Sequence, residues 1–137
     1  MKKINQFLKY SALVLCVAII FGGCKKEEDP PSYPSVSFII TYLEVDLQGG
    51  GKGVQFFANC STTDVKMTKV EIKDPLQSGT ITYNLNGNGY VKGQIFALQD
   101  DNTAYLKQGG TWTITFTGLR TVDSAPFTLP VTIAVSK

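Results

Sequence analysis

A chain of 137 residues, 43% hydrophobic and 18% charged, with thirteen glycines and no histidine, holds one modest domain and is too short for a multidomain enzyme. Its formal charge of +2 owes much to Lys2, Lys3 and Lys9, for beyond residue 23 ten basic residues stand against eleven acidic ones. No excess of lysine and arginine remains there to neutralise phosphates, which excludes nucleic acid as a partner.

Met1 to Lys9 carries three lysines and no acid, and an unbroken apolar run follows from Ala12 to Phe21 before Gly22, Gly23 and Cys24. A basic start, a short apolar stretch and small residues predict a secretory leader over 1–23. A membrane-spanning helix needs about 20 apolar residues, and this run stops well short of that. The stretch Phe21-Gly22-Gly23-Cys24 resembles the lipobox of bacterial lipoproteins, with Phe21 where that family more often has Leu. The resemblance implies that the Cys24 thiol receives a diacylglycerol, that the leader is cut before it, and that the freed amine takes a further acyl chain such as palmitate. Several chains anchor firmly where one binds only marginally.

The charged run Lys25, Lys26, Glu27, Glu28 and Asp29 is similar to the export signal behind the lipidated cysteine in surface lipoproteins of the Bacteroidota type. That implies a location on the outer membrane facing the cell exterior; a solvated run that only keeps the tether extended is the plainer alternative. Pro30, Pro31 and Pro34 follow, so residues 24–34 read as a lipidated, charged and proline-rich tether with a reach of roughly 30 Å.

From Ser35 to Lys137 apolar residues recur at every second position, and helical spacing is sustained nowhere, so this domain is expected to be all-β. Ile39, Leu43, Val45 and Leu47 share one parity, with Glu44 and Asp46 on the other. Val54, Phe56, Ala58 and Cys60 form a second inward set, and Val70 and Ile72 a third. Ile81, Tyr83 and Leu85 alternate with threonine and asparagine up to Asn86-Gly87-Asn88-Gly89, whose capacity for positive φ predicts a tight hairpin returning through Val91 to Ala97. Trp112, Ile114 and Phe116 alternate with threonines, and Phe127, Leu129, Val131, Ile133 and Val135 form the cleanest set. Pro130 cannot donate to a ladder, which places the last strand at a sheet edge.

About seven short antiparallel strands with frequent turns predict a two-sheet β-sandwich. The segment Gly109 to Gly118, followed by a loop and the final alternating strand, resembles the closing strand pair of bacterial immunoglobulin-like and fibronectin type III-like domains. The paired cysteines around a tryptophan that mark antibody domains are missing. Gly110-Thr111-Trp112 is also similar to the glycine-x-tryptophan motif of lipocalins, which implies a calycin-like β-barrel as the alternative; there the motif opens the first strand, and here it falls near the end.

Without histidine, the usual activated serine and cysteine nucleophiles have no base, and the commonest zinc ligand is missing. Cys60, with neither Cys16 nor Cys24 left to pair with, reads as a buried hydrophobe. Gly49-Gly50-Gly51-Lys52-Gly53 lacks the spacing of a phosphate loop and reads as a hairpin. Glu44 and Asp46, about 7 Å apart on one strand face, have a separation suited to glycoside hydrolysis, yet no apolar pocket to raise one pKa is evident. Asp100-Asp101-Asn102 offers calcium-type oxygens without the alternating acidic spacing of a calcium loop, and reads as a solvated turn. Tyr90, Lys92, Gln94 and Phe96 lie on the parity opposite Val91, Gly93, Ile95 and Ala97 and are expected to face outward as a contact patch.

The expectation is therefore a non-catalytic, lipid-anchored surface module that presents its sandwich to an extracellular protein or glycan and needs no metal or cofactor. A structural subunit of an envelope assembly is the second reading. A small glycoside-active enzyme resting on Glu44 and Asp46 is the third.

Overall fold

Polar residues alternating with large apolar ones give most strands one wet face and one dry face, and two sheets bury their dry faces against each other. In the computed structural model, which describes residues 29–99 and 104–137, this produces eight strands. They are β1 (Phe38–Asp46), β2 (Lys52–Cys60), β3 (Val65–Lys73), β4 (Thr80–Tyr90), β5 (Ile95–Ala97), β6 (Tyr105–Leu106), β7 (Gly110–Arg120) and β8 (Pro126–Val135). Sheet 1 runs β1-β2-β5, with β6 also on β2; sheet 2 runs β4-β3-β7-β8; every pairing is antiparallel. The two sheets do not close on each other, so the molecule is a β-sandwich and not the barrel, with one strand more than the seven expected. The compact unit begins at Tyr33. Its start is held by Arg120, whose Nη1 donates to Pro34 O at 2.9 Å while the guanidinium lies over the Tyr33 ring. Cys24 and Lys25 to Glu28 lie outside the described residues, as do Asp100, Asp101 and Asn102; Asp29 is exposed.

The core comes mainly from the three strands with the sharpest polar and apolar contrast. Val54, Phe56, Ala58 and Cys60 of β2 meet Val65, Met67, Val70 and Ile72 of β3 and Trp112, Ile114 and Phe116 of β7, all of them buried. Phe38 stacks on Phe116 with ring centroids 4.0 Å apart, and Phe56 lies 5.1 Å from Trp112, so aromatic pairs join the sheets at two levels. Cys60 is a free, fully buried thiol. Pro130 is exposed on β8, at the edge of sheet 2, where its missing N–H disrupts no ladder.

Two expectations are corrected. Asn86-Gly87 does adopt positive φ, 50° and 79°, but inside β4 and not in a hairpin. Met67 pairs with Asn88 and Lys69 with Asn84, so the intervening residues of β4 bulge out opposite Thr68. Thr80 to Asn84 pairs with β3, and the chain reverses later, at Val91 to Gln94, with Gly93 at φ 80° and Gln94 N–H donating to Val91 O. The chain there leaves sheet 2 for sheet 1, and only Ile95–Ala97 forms a strand.

The second correction concerns β1. Phe38, Ile40 and Tyr42 point inward because their register partners are the buried Cys60, Ala58 and Phe56. Ile39 and Leu43, expected inside, are each 53% exposed.

Candidate functional site

Register places the outward side chains of sheet 1 in rows. Ile39, Asn59 and Ile95 form one row; Thr41, Phe57 and Ala97 the next; Leu43 and Gln55 the third. Ile95 is 68% exposed and Phe57 half-buried at the centre. Leu106 of β6, paired with Gly53, extends the same face and is also exposed. Among these residues there is no charged side chain. The outer face of sheet 2 is different: Lys66, Lys69, Glu71 and Lys73 stand beside Thr113, Thr115 and Thr117, which suits a surface facing water. A broad apolar and uncharged face on one sheet alone has the character of an interface centre, where charged residues are depleted.

The aromatic patch expected at Tyr90, Lys92, Gln94 and Phe96 does not assemble. Tyr90 and Phe96 are half-buried, pack on the core and face each other with centroids 4.2 Å apart, closing the gap between β4 and β5. The exposed residues of that segment are Val91 and Ile95, so the parity is the reverse of the expected one. The cause is the change of sheet: residues on either side of the Gly93 turn belong to different sheets and have to turn their rings toward the shared interior. Lys92 and Gln94 are exposed on the turn itself. Lys92 N–H donates to Asp64 Oδ1 at 2.7 Å, and Gln94 Oε1 accepts from Val91 N–H.

The two carboxylates of β1 are each in an ion pair. Glu44 lies 2.7 Å from Lys107 Nζ and also accepts from Ser136 Oγ, while Asp46 lies 2.5 Å from Lys52 Nζ. The hydrogen bond from Lys107 holds the Glu44 carboxyl below its ordinary range. A general acid needs the opposite shift. The glycine run Gly49 to Gly53 is a hairpin loop, with Gly50 N–H donating to Leu47 O and positive φ at Gly50 and Gly51. No cluster of three metal-ligating side chains occurs among the described residues.

A residue that sequence reading passed over completes β2. Between β5, which starts at Phe57, and β6, which ends at Val54 on the same edge of β2, no strand is in register with Gln55 and Phe56. The buried side chain of Gln99 takes that place: Oε1 accepts from Phe56 N–H at 2.9 Å and Nε2 donates to Val54 O at 3.1 Å. An amide side chain here stands in for one peptide of the missing strand. Its only sequence signal is an apolar residue and an amide, Leu98-Gln99, before an acidic run, which is too common to read.

Compared with protein-family models, with curated proteins and with solved structures, the chain matches none.

Proposed function

We propose that the protein is a non-catalytic, lipid-anchored module on the outer membrane, acylated at Cys24 and exported behind Lys25 to Asp29. Its immunoglobulin-like sandwich engages an extracellular protein through the outer face of sheet 1. The observation that carries the choice of a protein over a glycan is the uncharged face bearing Ile39, Leu43, Phe57 and Ile95. A polar polysaccharide gains little from branched aliphatic side chains, whereas an apolar protein surface packs on them. An envelope assembly with this chain as a subunit would use the same face, and differs in being permanent.

Two measurements test the reading. Metabolic labelling with an acyl probe should mark the wild type and Cys60→Ala but not Cys24→Ala; label persisting on Cys24→Ala overturns the anchor. Crosslinking in intact cells should give a defined adduct that Leu43→Lys or Ile95→Lys abolishes and Thr115→Lys, on the opposite face, leaves intact. Leu43 and Ile95 are exposed and Thr115 points outward from sheet 2, so thermal melting should stay within a few degrees of wild type. An adduct surviving both sheet 1 substitutions refutes the assignment of the face.

A further inference from the structure

A sandwich leaves two edges on each sheet, and an edge strand offers a row of unpaired N–H and C=O groups to any other chain. Three of the four edges here carry a feature that hinders such pairing. β4 bulges at Asn86 and Gly87, both at positive φ. β8 carries Pro130, which has no N–H to give. The far edge of sheet 1 is broken into β5, of three residues, and β6, of two, with the Gln99 side chain between them.

β1 is the exception. Its nine residues, Phe38–Asp46, include no proline, glycine or lysine, and they pair with β2 without a bulge. Among the described residues no strand pairs with its other side. Ser37 O accepts from Ser61 N–H and Leu47 N–H donates to Gly51 O, both in line with the β1 to β2 register. Bonded positions alternate along an antiparallel ladder, so the odd-numbered residues of β1 bond to β2. The even-numbered ones, among them Ile40, Tyr42 and Glu44, turn their N–H and C=O toward the open edge.

We infer that two copies of this chain join edge to edge, β1 against β1, in antiparallel register about Thr41, so that sheet 1 runs through both molecules. The edges supply the first argument. Each molecule has one regular open edge, so strand addition between copies joins β1 to β1 and closes at two. The sequence of β1 supplies the second, because it matches itself about Thr41. A twofold axis there sets Ile39 beside the second copy's Leu43, covering the two aliphatic side chains of β1 that are each 53% exposed. Ile40 and Tyr42 then exchange the backbone hydrogen bonds, and Thr41 meets its own copy at the closer, non-bonded spacing. Glu44 and Asp46 fall at opposite ends of the pair, Glu44 about 20 Å along the strands from its copy. Each is already neutralised by its own lysine. Moving the axis to Tyr42 would set Ile40 against Glu44 and leave Leu43 beside Thr41. The inference concerns the edge of β1 and does not rest on the partner proposed for the outer face.

Cysteine crosslinking of the full-length protein in detergent reads this register. Thr41→Cys places two thiols across the axis with Cα atoms about 4.5 Å apart, within disulfide reach. On mild oxidation it should form a covalent dimer about tenfold faster than Ile95→Cys, an exposed position on the far edge of the sheet, with wild type as the control for the native cysteines. Ile39→Cys mixed with a mass-tagged Leu43→Cys should give the mixed dimer, while each alone stays at the Ile95→Cys rate. Adding Ile95→Lys, which tests the outer face, should leave the Thr41→Cys bond intact. In sedimentation with the detergent density-matched, the wild-type protein mass should double with concentration and that of Thr41→Lys should not, because two ammonium groups then meet at the axis. Thr41→Cys crosslinking no faster than Ile95→Cys, Ile39→Cys or Leu43→Cys dimerising alone as well as mixed, or a wild type that stays monomeric up to about millimolar concentration overturns the inference.

Discussion

Replacing Gln99 by leucine tests whether a single side chain serves as a rung of the β2 ladder. The substitution keeps roughly the same volume and removes both amide hydrogen bonds at once, leaving Phe56 N–H and Val54 C=O facing an apolar group in a buried position. Each unsatisfied backbone group costs about 1 to 3 kcal/mol, or about 2 to 6 kcal/mol for the pair. Burying leucine in place of an amide returns part of this, on the order of 1 to 2 kcal/mol. Taking the middle of each range, the net expectation is a loss of about 2.5 kcal/mol in urea unfolding with an unchanged dependence on denaturant. Gln99→Glu separates the two bonds. Its carboxylate still accepts from Phe56 N–H but turns a second oxygen toward Val54 O and buries a charge, so at neutral pH it should be worse than leucine. Burial raises the folded pKa of such a group, so its deficit should shrink as pH falls and a protonated carboxyl donates to Val54 O. A loss below ~1 kcal/mol for Gln99→Leu, with no pH dependence for Gln99→Glu, would mean that other groups satisfy β2 and that the rung is incidental.

Trp112→Ala should lower stability by about 3 to 5 kcal/mol in the same assay, because the ring is 2% exposed and packs on Phe56 and Tyr105; a loss under ~1 kcal/mol would move it out of the core. The double substitution of Tyr90 and Phe96 by serine should cost about 3 kcal/mol or more, since the rings close one side of the sandwich, and unchanged melting would return them to the surface. The hydrogen bond from Ser78 holds the Asp74 carboxyl below its ordinary value, so Asp74 contributes stability above the unfolded pKa and loses it as pH falls through the folded one. Melting curves of wild type and Asp74→Asn should thus differ by a constant amount from pH 7 to about 5 and converge below about pH 4; a gap of constant size down to pH 2.5 refutes the linkage.

How much of this was legible depended on contrast within each strand. In β7 every inward residue from Trp112 to Phe116 is large and apolar and every outward one is threonine, so alternation alone gave the buried face. In β8 the inward set Phe127, Leu129, Val131 and Ile133 likewise packs on the core, and Val54, Phe56, Ala58 and Cys60 of β2 lie buried as read. The positive φ of Asn86 and Gly87 was also legible, but its use was not. A left-handed pair serves a hairpin or a bulge equally well, and the choice was made by β3, which pairs on both sides of it, with Thr80 to Asn84 and with Asn88 to Tyr90, and leaves Ile95 to Ala97 to the other sheet. Gln99 was invisible for a related reason: its significance comes from a strand that is missing beside it, and an absence in space leaves no pattern along the chain.

The misassigned face of β1 carries the most functional content. Phe38, Ile39, Ile40, Tyr42, Leu43 and Val45 are apolar on both parities, so the strand alone does not say which side is inside. The answer comes from β2, whose buried set fixes Phe38, Ile40 and Tyr42 opposite it. Once that register is set, Ile39 and Leu43 have no inner role, and in an antiparallel sandwich the outer parity normally faces water and is polar. An apolar patch of the size common on monomeric proteins, about 400 Å², would contribute on the order of 10 kcal/mol if fully covered, at about 25 cal/mol per Å². Association costs about 4 to 15 kcal/mol, so the patch alone gives weak and reversible docking. A membrane tether changes that balance, because a partner on the same surface meets the face at an effective concentration in the millimolar range. On the proposed reading, anchor and apolar face would belong to one design: the lipid would confine the module, and a face that docks only weakly from free solution would suffice at the membrane.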